Sequence, residues 1–140
     1  MTATEIRELC HEWQAGLARR DIRALADLYA EHAVVESPLA GTVSGRDAAV
    51  SAFQGLFDAF PDMRWSFEPP IADGNRVALI ADVTGSHAGT FMGLPPTGRP
   101  FHFGIVFLLE TQDQRIVRDR RVYDFTGFLV QVGALKAKPA

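Results

Sequence analysis

Apolar residues recur at helical spacing along the first part of the chain. Thr2 and Glu5 have the spacing of a capping box, Asp21 is suited to cap a second helix, and Ser44 with Asp47 again has capping-box spacing. Three helices are predicted, and their apolar stripes are Ile6, Leu9, Trp13 and Leu17, then Leu25, Leu28 and Tyr29, and then Val50, Phe53, Leu56, Phe57 and Phe60. A short strand over residues 33–37 separates the second helix from the third.

From Met63 onward the apolar positions alternate, as they do in strands with one buried face. Asp73-Gly74-Asn75 indicates a hairpin turn, and the proline-rich segment 93–100 indicates a loop. The predicted strands cover residues 63–67, 76–87, 101–110 and 115–124, and a short helix over residues 126–133 follows them. This order indicates an α+β fold in which the N-terminal helices lie across one face of a curved antiparallel sheet and enclose a pocket.

Composition narrows the class of protein. The 140 residues indicate one domain, residues 1–140, whose tail over residues 136–140 is expected to fray. A net charge of −3 offers no basic surface for DNA or RNA. No signal peptide or membrane-crossing run is visible, so we expect a cytoplasmic protein without a membrane partner. A single Cys10 and histidines without HxH or HxxxH spacing predict no metal site.

Three stretches of the sequence carry a resemblance to a known family. The first is Tyr29-Ala-Glu-His-Ala-Val-Val-Glu-Ser-Pro38 followed by Ser44-Gly-Arg-Asp47, and the second is HAGTFMGLPPTGR, which begins at His87. The third is RIVRDRRVYD, which ends at Asp124, together with the later LVQVG. They resemble the SnoaL-like branch of the nuclear transport factor two-like superfamily, and the resemblance extends over residues 4–135.

The resemblance implies a cone-shaped α+β barrel, also called cystatin-like, that forms a homodimer. It also implies a polyketide or ester cyclase that closes a ring by intramolecular aldol chemistry without a metal or an organic cofactor. Wider relatives include isomerases, dehydratases, epoxide hydrolases and non-catalytic ligand binders, so the fold alone does not fix the reaction. A partly apolar outer sheet face with His102, Val106 and Leu108 points independently to a homodimer.

Three residues are candidates for catalysis. Asp124 ends the last predicted strand and matches the position that resembles the acid/base aspartate of the cyclases. Arg120 shares its predicted strand face and would bind a substrate oxygen or pair with Asp124. His87 ends an apolar strand face and would be a second acid/base group facing the same enclosed pocket. The structural alternatives are a helix N-cap for Asp124, a solvated Arg120, and a His87 that binds the proline-rich loop.

A second set of residues is expected to bind the substrate. About half of the aromatic and apolar candidates should contact the cavity, the others being core. Glu36 would be a second buried carboxylate if its strand face points inward, or a rim residue if it does not. The candidates are Trp13, Tyr29, Glu36, Phe53, Phe57, Trp65, Phe91, Met92 and Phe103.

These residues predict a cofactor-independent enzyme that acts by acid/base chemistry on a hydrophobic, carbonyl-bearing small molecule. The alternative is a non-catalytic ligand-binding or dimerisation module on the same fold. An ion pair between Asp124 and Arg120 would favour the binder, because a paired carboxylate is a poor base. Epoxide hydrolysis would need a water between two carboxylates, and only Glu36 is available as the second.

Overall fold

The protein is described by a computed structural model over residues 1–136. The helices in this range are α1 (Ala3–Arg19), α2 (Ile22–Leu28), α3 (Arg46–Ala59) and α4 (Phe125–Gln131). The strands are β1 (Tyr29–Ser37), β2 (Gly41–Ser44), β3 (Arg64–Phe67), β4 (Ile71–Asp73), β5 (Arg76–Ser86), β6 (Pro100–Gln112) and β7 (Arg115–Tyr123). Apart from Lys136, the tail that was expected to fray lies outside the described residues.

The helix starts follow from local hydrogen bonds. The capping box before α1 is confirmed, because the Glu5 backbone N–H donates to Thr2 Oγ1 at 3.1 Å and the Thr2 N–H donates to Glu5 Oε1 at 3.0 Å. Asp21 caps α2 by accepting from the Ala24 N–H at 3.1 Å. The predicted capping box of Ser44 and Asp47 is wrong. Gly45 stands at the N-cap of α3 without a side-chain cap bond, and Ser44 instead pairs in the sheet.

The strands form one curved sheet in the order β2-β1-β7-β6-β5-β3, with β4 paired to β5. The β1–β7 pair is parallel and the other pairs are antiparallel. The helices cover the inner face, where buried residues of α1, α2 and α3 join those of the strands in one core. As predicted, alternate residues of β5 and β6 point to this face. They are buried from Val77 to Val83 on β5 and at Phe101, Ile105, Phe107 and Leu109 on β6, while Phe103 is partly buried. The expected α+β architecture is therefore confirmed.

Strand bounds differ from the predictions where the apolar pattern was too short to show a period. β1 begins at Tyr29 rather than at residue 33, because the start of the strand pairs in parallel with β7. β2 and β4 were not predicted. They contain four and three residues and are mostly exposed, so they show no alternation of buried positions.

A bulge in β7 changes which of its residues face the core. Pairing with β6 is regular from Tyr123 to Arg118 and then shifts by one residue, which leaves Val117 as the extra residue. Asp119 is fully buried beyond the bulge, whereas Val122 is 49% exposed. Because side chains alternate along a strand, the extra residue places Asp119 and Arg121, rather than Arg118 and Arg120, on the inner face that also holds Ile116.

Within the described part of the chain, no helix has both the length and the apolar character that crossing a bilayer requires.

The buried thiol of Cys10 makes the stability of this core sensitive to alkaline pH. Burial raises the pKa of Cys10 from 9.0 to about 11, so the thiolate is favoured in the unfolded chain. The stabilising contribution is fully present below pH 9 and is lost as the pH rises toward 11. We expect the difference in unfolding free energy between wild type and Cys10→Ala to shrink across this range, measured by urea denaturation. A difference in unfolding free energy that stays constant between pH 9 and pH 11 would contradict this prediction.

Candidate functional site

A cavity of about 360 Å³ lies between the inner face of the sheet, α3 and the segment after β5. This volume is at the lower end of the roughly 300–1,000 Å³ range of small-molecule sites. Its mouth is marked by exposed lining residues of the β1–β2 turn, of α3 and of the segment after β5, which are Ala40, Ser51, Ala52, Thr90 and Met92. Aromatic rings form much of its wall, and they belong to Phe53, Phe60, Trp65, Phe91, Phe103, Phe107, Tyr123 and Phe128.

The structure places about half of the predicted binding residues on this wall. Five of them line the cavity, namely Phe53, Trp65, Phe91, Met92 and Phe103. Phe57 is buried behind the wall, stacked on Phe53 with a ring-centroid distance of 6.0 Å. Trp13 and Tyr29 also lie behind it, in the core. Binding of a substrate by the five lining residues remains a prediction.

Glu36 faces the outer side of the sheet. Its neighbour Val35 is buried and lines the cavity, so alternation along β1 turns the carboxylate outward. There Glu36 Oε1 lies 3.0 Å from Arg118 Nη2, and Oε2 lies 3.9 Å from Arg120 Nε. The expectation that Glu36 faces the pocket and binds substrate is therefore wrong. Its carboxylate belongs to an ion-pair cluster on the outer face of the sheet.

A buried polar network stands directly behind the cavity wall. The Trp13 indole N–H donates to the Tyr29 hydroxyl at 3.0 Å, and this hydroxyl donates to Asp119 Oδ2 at 2.6 Å. Arg121 donates to the same carboxylate through Nη2 at 3.0 Å and through Nε at 3.4 Å. Asp119 has no exposed surface, while Arg121 reaches the cavity and lines it. The network thus holds one guanidinium in the wall of an apolar pocket.

Two aromatic rings lie close to the guanidinium of Arg121. Its Cζ lies 4.7 Å from the ring centroid of Phe53, on α3, and 5.4 Å from that of Phe107, on β6. Both distances are within the range of cation–π attraction. Among the described residues of the lining, Arg121 is the only side chain that is ionised at neutral pH.

The pKa shifts around this network keep Tyr29, Arg121 and Tyr123 protonated at neutral pH. Burial raises the pKa of Tyr29 well above 10.0, and the neighbouring Asp119 carboxylate raises it further. Burial lowers the pKa of Arg121 and is the largest single effect, but the Asp119 carboxylate and Tyr29 together outweigh it, so the pKa rises. Burial also raises the pKa of Tyr123, although the charge of Arg121 partly opposes this shift. At neutral pH Arg121 is therefore a cation and both tyrosines are neutral hydroxyl donors.

This arrangement is suited to binding an oxygen atom. Asp119 accepts two of the five N–H groups of Arg121, and the remaining ones can donate to a ligand. Donors that are fixed in advance in an apolar pocket stabilise negative charge on an oxygen more than water does. The chemistry that follows is polarisation of a carbonyl or stabilisation of an enolate.

The structure does not bring Asp124 and Arg120 to the cavity, contrary to the expected placement. Arg120 and Val122 follow the bulge on β7, so they face outward, and Arg120 approaches Glu36 rather than Asp124. Asp124 is exposed at the N-cap of α4, where its Oδ1 accepts from the Gly127 N–H at 2.9 Å. These positions agree with the structural alternatives: a helix cap for Asp124 and a solvated Arg120.

We expect Asp124→Asn to leave ligand binding and turnover within about twofold of wild type, because asparagine caps a helix as well as aspartate does. The change in unfolding free energy should be below about 1 kcal/mol. Dissociation constants, turnover rates and urea denaturation curves of wild type and Asp124→Asn, measured under the same conditions, check this prediction. A rate loss of about a hundredfold or more with an intact fold would restore Asp124 as the acid/base residue.

His87 is buried but does not line the cavity. Its Nδ1 lies 3.2 Å from Thr97 Oγ1, and this hydroxyl donates to the Val132 carbonyl at 2.9 Å. The His87 backbone N–H donates to the Arg99 carbonyl at 3.0 Å. His87 therefore binds the proline-rich loop to the sheet, as its structural alternative described, while Phe91 and Met92 just before the loop line the cavity.

Within residues 1–136 no group of three or more His, Cys, Asp or Glu side chains is arranged to hold a metal ion. The other histidines also lie apart from the cavity. His102 is on the outer face, 3.4 Å from Asp82, while His11 and His32 are exposed.

Known proteins share the sequence pattern and the fold of this chain. The sequence model of the SnoaL-like polyketide cyclases matches residues 7–132. The chain belongs to this family. No curated protein matches the chain. Its cone-shaped fold, as expected, is that of the nuclear transport factor two-like and ketosteroid isomerase-like proteins.

Three solved structures illustrate the relationship. AclR, a candidate hydroxylase from Streptomyces galilaeus, is 31% identical and superimposes with a TM-score of 0.83 over 99% of this chain and 87% of AclR. IdmH, a candidate polyketide cyclase from Streptomyces antibioticus, is 27% identical, with a TM-score of 0.77 over 91% of this chain and 98% of IdmH. A candidate SnoaL-like cyclase from Jannaschia sp. CCS1 is 21% identical, with a TM-score of 0.85 over 94% of each chain, and shows the common fold.

Sequence reasoning missed Asp119 and Arg121. The available signal was their spacing, which places opposite charges on one strand face. Tyr29 was predicted, but as a wall residue rather than as the hydroxyl that holds Asp119.

Proposed function

We propose that this SnoaL-like protein is a cyclase-type enzyme whose cavity binds a hydrophobic, carbonyl-bearing small molecule with a carbonyl oxygen on Arg121. The observation that carries the proposal is the guanidinium of Arg121, which is held by Asp119 and lies close to two aromatic rings in the wall of an apolar cavity. The family and the name of IdmH support chemistry of the cyclase type.

In an intramolecular aldol closure, an enolate carbon attacks a second carbonyl of the same molecule. Arg121 would stabilise the enolate oxygen and so acidify the adjacent C–H bond. Tyr123 lines the same cavity with its hydroxyl protonated, and it would donate this proton to the alkoxide that ring closure produces. Water at the open mouth would accept the proton of the C–H bond that Arg121 acidifies and would return a proton to the Tyr123 phenolate, so that no proton is gained or lost over the cycle.

A non-catalytic ligand binder is the second candidate. It is favoured by the state of the groups around the cavity, because Arg121 is already paired and burial raises the pKa values of Tyr29 and Tyr123. None of these three groups changes its charge near neutral pH, as a general base would. AclR, named for a different reaction, shows that proteins similar in fold are assigned different chemistry.

Deuterium exchange separates the two candidates. Naphthoylacetone, a 1,3-diketone on a fused aromatic ring, is incubated in deuterated buffer with wild type or Arg121→Lys, and exchange of its central C–H is followed by NMR. The enzyme proposal expects wild type to accelerate exchange above the buffer rate and Arg121→Lys to lose most of this acceleration. Binding of the diketone by wild type without acceleration would favour the binder.

We further propose that the protein forms a homodimer through the outer face of the sheet. This face carries exposed Val122 and half-buried Val106 and Leu108 beside the ion pairs of Glu36 and Arg118. An apolar strip next to charges of both signs suits contact with a second copy. Sedimentation at micromolar concentration should show twice the mass of the 15.4 kDa chain. A single species of 15.4 kDa would contradict this.

A further inference from the structure

The charge of the cavity is already balanced before a ligand enters. Arg121 supplies the positive charge, and the Asp119 carboxylate lies 3.0 Å from its Nη2 with no exposed surface. A ligand therefore meets N–H donors that belong to a neutral pair. An unpaired buried cation would instead present a net positive charge.

We infer that Asp119 makes the cavity select a neutral carbonyl oxygen and exclude a carboxylate of the same shape. The inference rests on the proposed function, since it concerns the ligand that the same cavity binds. It adds a specificity-determining residue that does not line the cavity and acts through Arg121.

The selectivity follows from the unfavourable free energy of placing a second negative charge in the cavity, next to the Asp119 carboxylate. A carboxylate would leave water for a mainly aromatic wall and would share one guanidinium with the Asp119 carboxylate. Removing an ion from water is unfavourable unless a partner of opposite charge compensates for it, and the guanidinium of Arg121 is already paired with Asp119. A ketone oxygen gives up much less hydration and still accepts the remaining N–H groups of Arg121.

Asp119 cannot give way to such a ligand. The Tyr29 hydroxyl holds its Oδ2 at 2.6 Å, and the Trp13 indole, whose side chain is fully buried, holds that hydroxyl at 3.0 Å. Both partners are part of the core cluster, so displacing the carboxylate would disturb the packing of α1 and β1. The pair is therefore a fixed element of the site.

Asp119→Asn should reverse the preference. Asparagine has nearly the same shape and can still accept from Tyr29 and from Arg121, but it carries no charge. Arg121 then becomes a buried cation without a counter-ion, and a carboxylate ligand can supply one. Asp82→Asn is the matched control, because Asp82 is exposed on the outer face and pairs with His102.

Two probes of nearly equal shape test the inference, 2-acetylnaphthalene and 2-naphthoate, with dissociation constants measured by equilibrium dialysis at neutral pH. We expect wild type and Asp82→Asn to bind the ketone at least about tenfold more tightly than the carboxylate. Asp119→Asn should bind 2-naphthoate at least about tenfold more tightly than wild type does, with the ketone affinity changed by less than about threefold.

The outcomes separate the inference from the proposed function. Equal or tighter binding of 2-naphthoate by wild type overturns the charge selectivity and leaves a carbonyl-binding cavity in place. If wild type binds neither 2-acetylnaphthalene nor 2-naphthoate, both the charge selectivity and the proposed carbonyl-binding function are overturned. Unchanged preference in a folded Asp119→Asn overturns the role of Asp119. If that variant does not fold, the comparison of the two probes in wild type decides.

Discussion

Asp119→Ala is expected to lower the free energy of unfolding by about 3–5 kcal/mol. The substitution leaves the guanidinium of Arg121, whose side chain is only 10% exposed, without its counter-ion in the core. It also removes the acceptor of the Tyr29 hydroxyl, which lies 2.6 Å from Asp119 Oδ2. Urea denaturation of wild type and variant at neutral pH measures the loss.

Asp58→Ala is the control for this loss. Asp58 lies on α3, away from the outer face of the sheet, and its exposed carboxylate accepts from Gln54 Nε2 at 2.8 Å. Exposed polar contacts contribute little, so this variant should lose less than about 1 kcal/mol.

A second variant tests whether the unpaired charge of Arg121 causes the loss of stability. Asp119→Leu combined with Arg121→Met removes both charges, while the Tyr29 hydroxyl still accepts from the buried Trp13 indole N–H, and this variant should recover most of the stability that Asp119→Ala loses. Similar losses for Asp119→Ala and Asp58→Ala would contradict the assignment of Asp119 as a buried counter-ion.

Arg121→Lys is expected to lower the catalysed exchange of naphthoylacetone by roughly 10²–10³-fold while the protein stays folded. Lysine keeps the positive charge near Asp119 but lacks the planar fork that binds a carboxylate and still presents N–H groups to a ligand. The lysine ammonium also does not reproduce the contacts of the guanidinium with the rings of Phe53 and Phe107. The measurement is kcat/KM for exchange, together with the thermal midpoint of each variant.

Arg120→Lys serves as the comparison for this prediction, because Arg120 is the adjacent residue on the opposite face of β7. Its rate should remain within about twofold of wild type. Equal losses in the two variants, or full activity in Arg121→Lys, would remove Arg121 from the proposed mechanism and would favour the ligand binder.

Features that depend on neighbouring residues could be read from the sequence. The capping bonds of Thr2, Glu5 and Asp21 involve residues three positions apart, so their spacing was sufficient to predict them. The inner faces of β5 and β6 follow strict alternation, which identified Phe103 as a wall residue. The apolar stripe of α3 likewise contained Phe53.

The sequence by itself determined the α+β class, the helix starts at Thr2 and Asp21, and the apolar walls, because local hydrogen bonds and periodic burial produce them. Only the tertiary structure decided the polar centre of the site. The bulge at Val117 exchanged the faces of β7, and parallel pairing of β1 with β7 brought Tyr29 to Asp119 across 90 positions of sequence. Such contacts arise from the register between distant strands, and no local pattern encodes that register when one extra residue reverses the alternation.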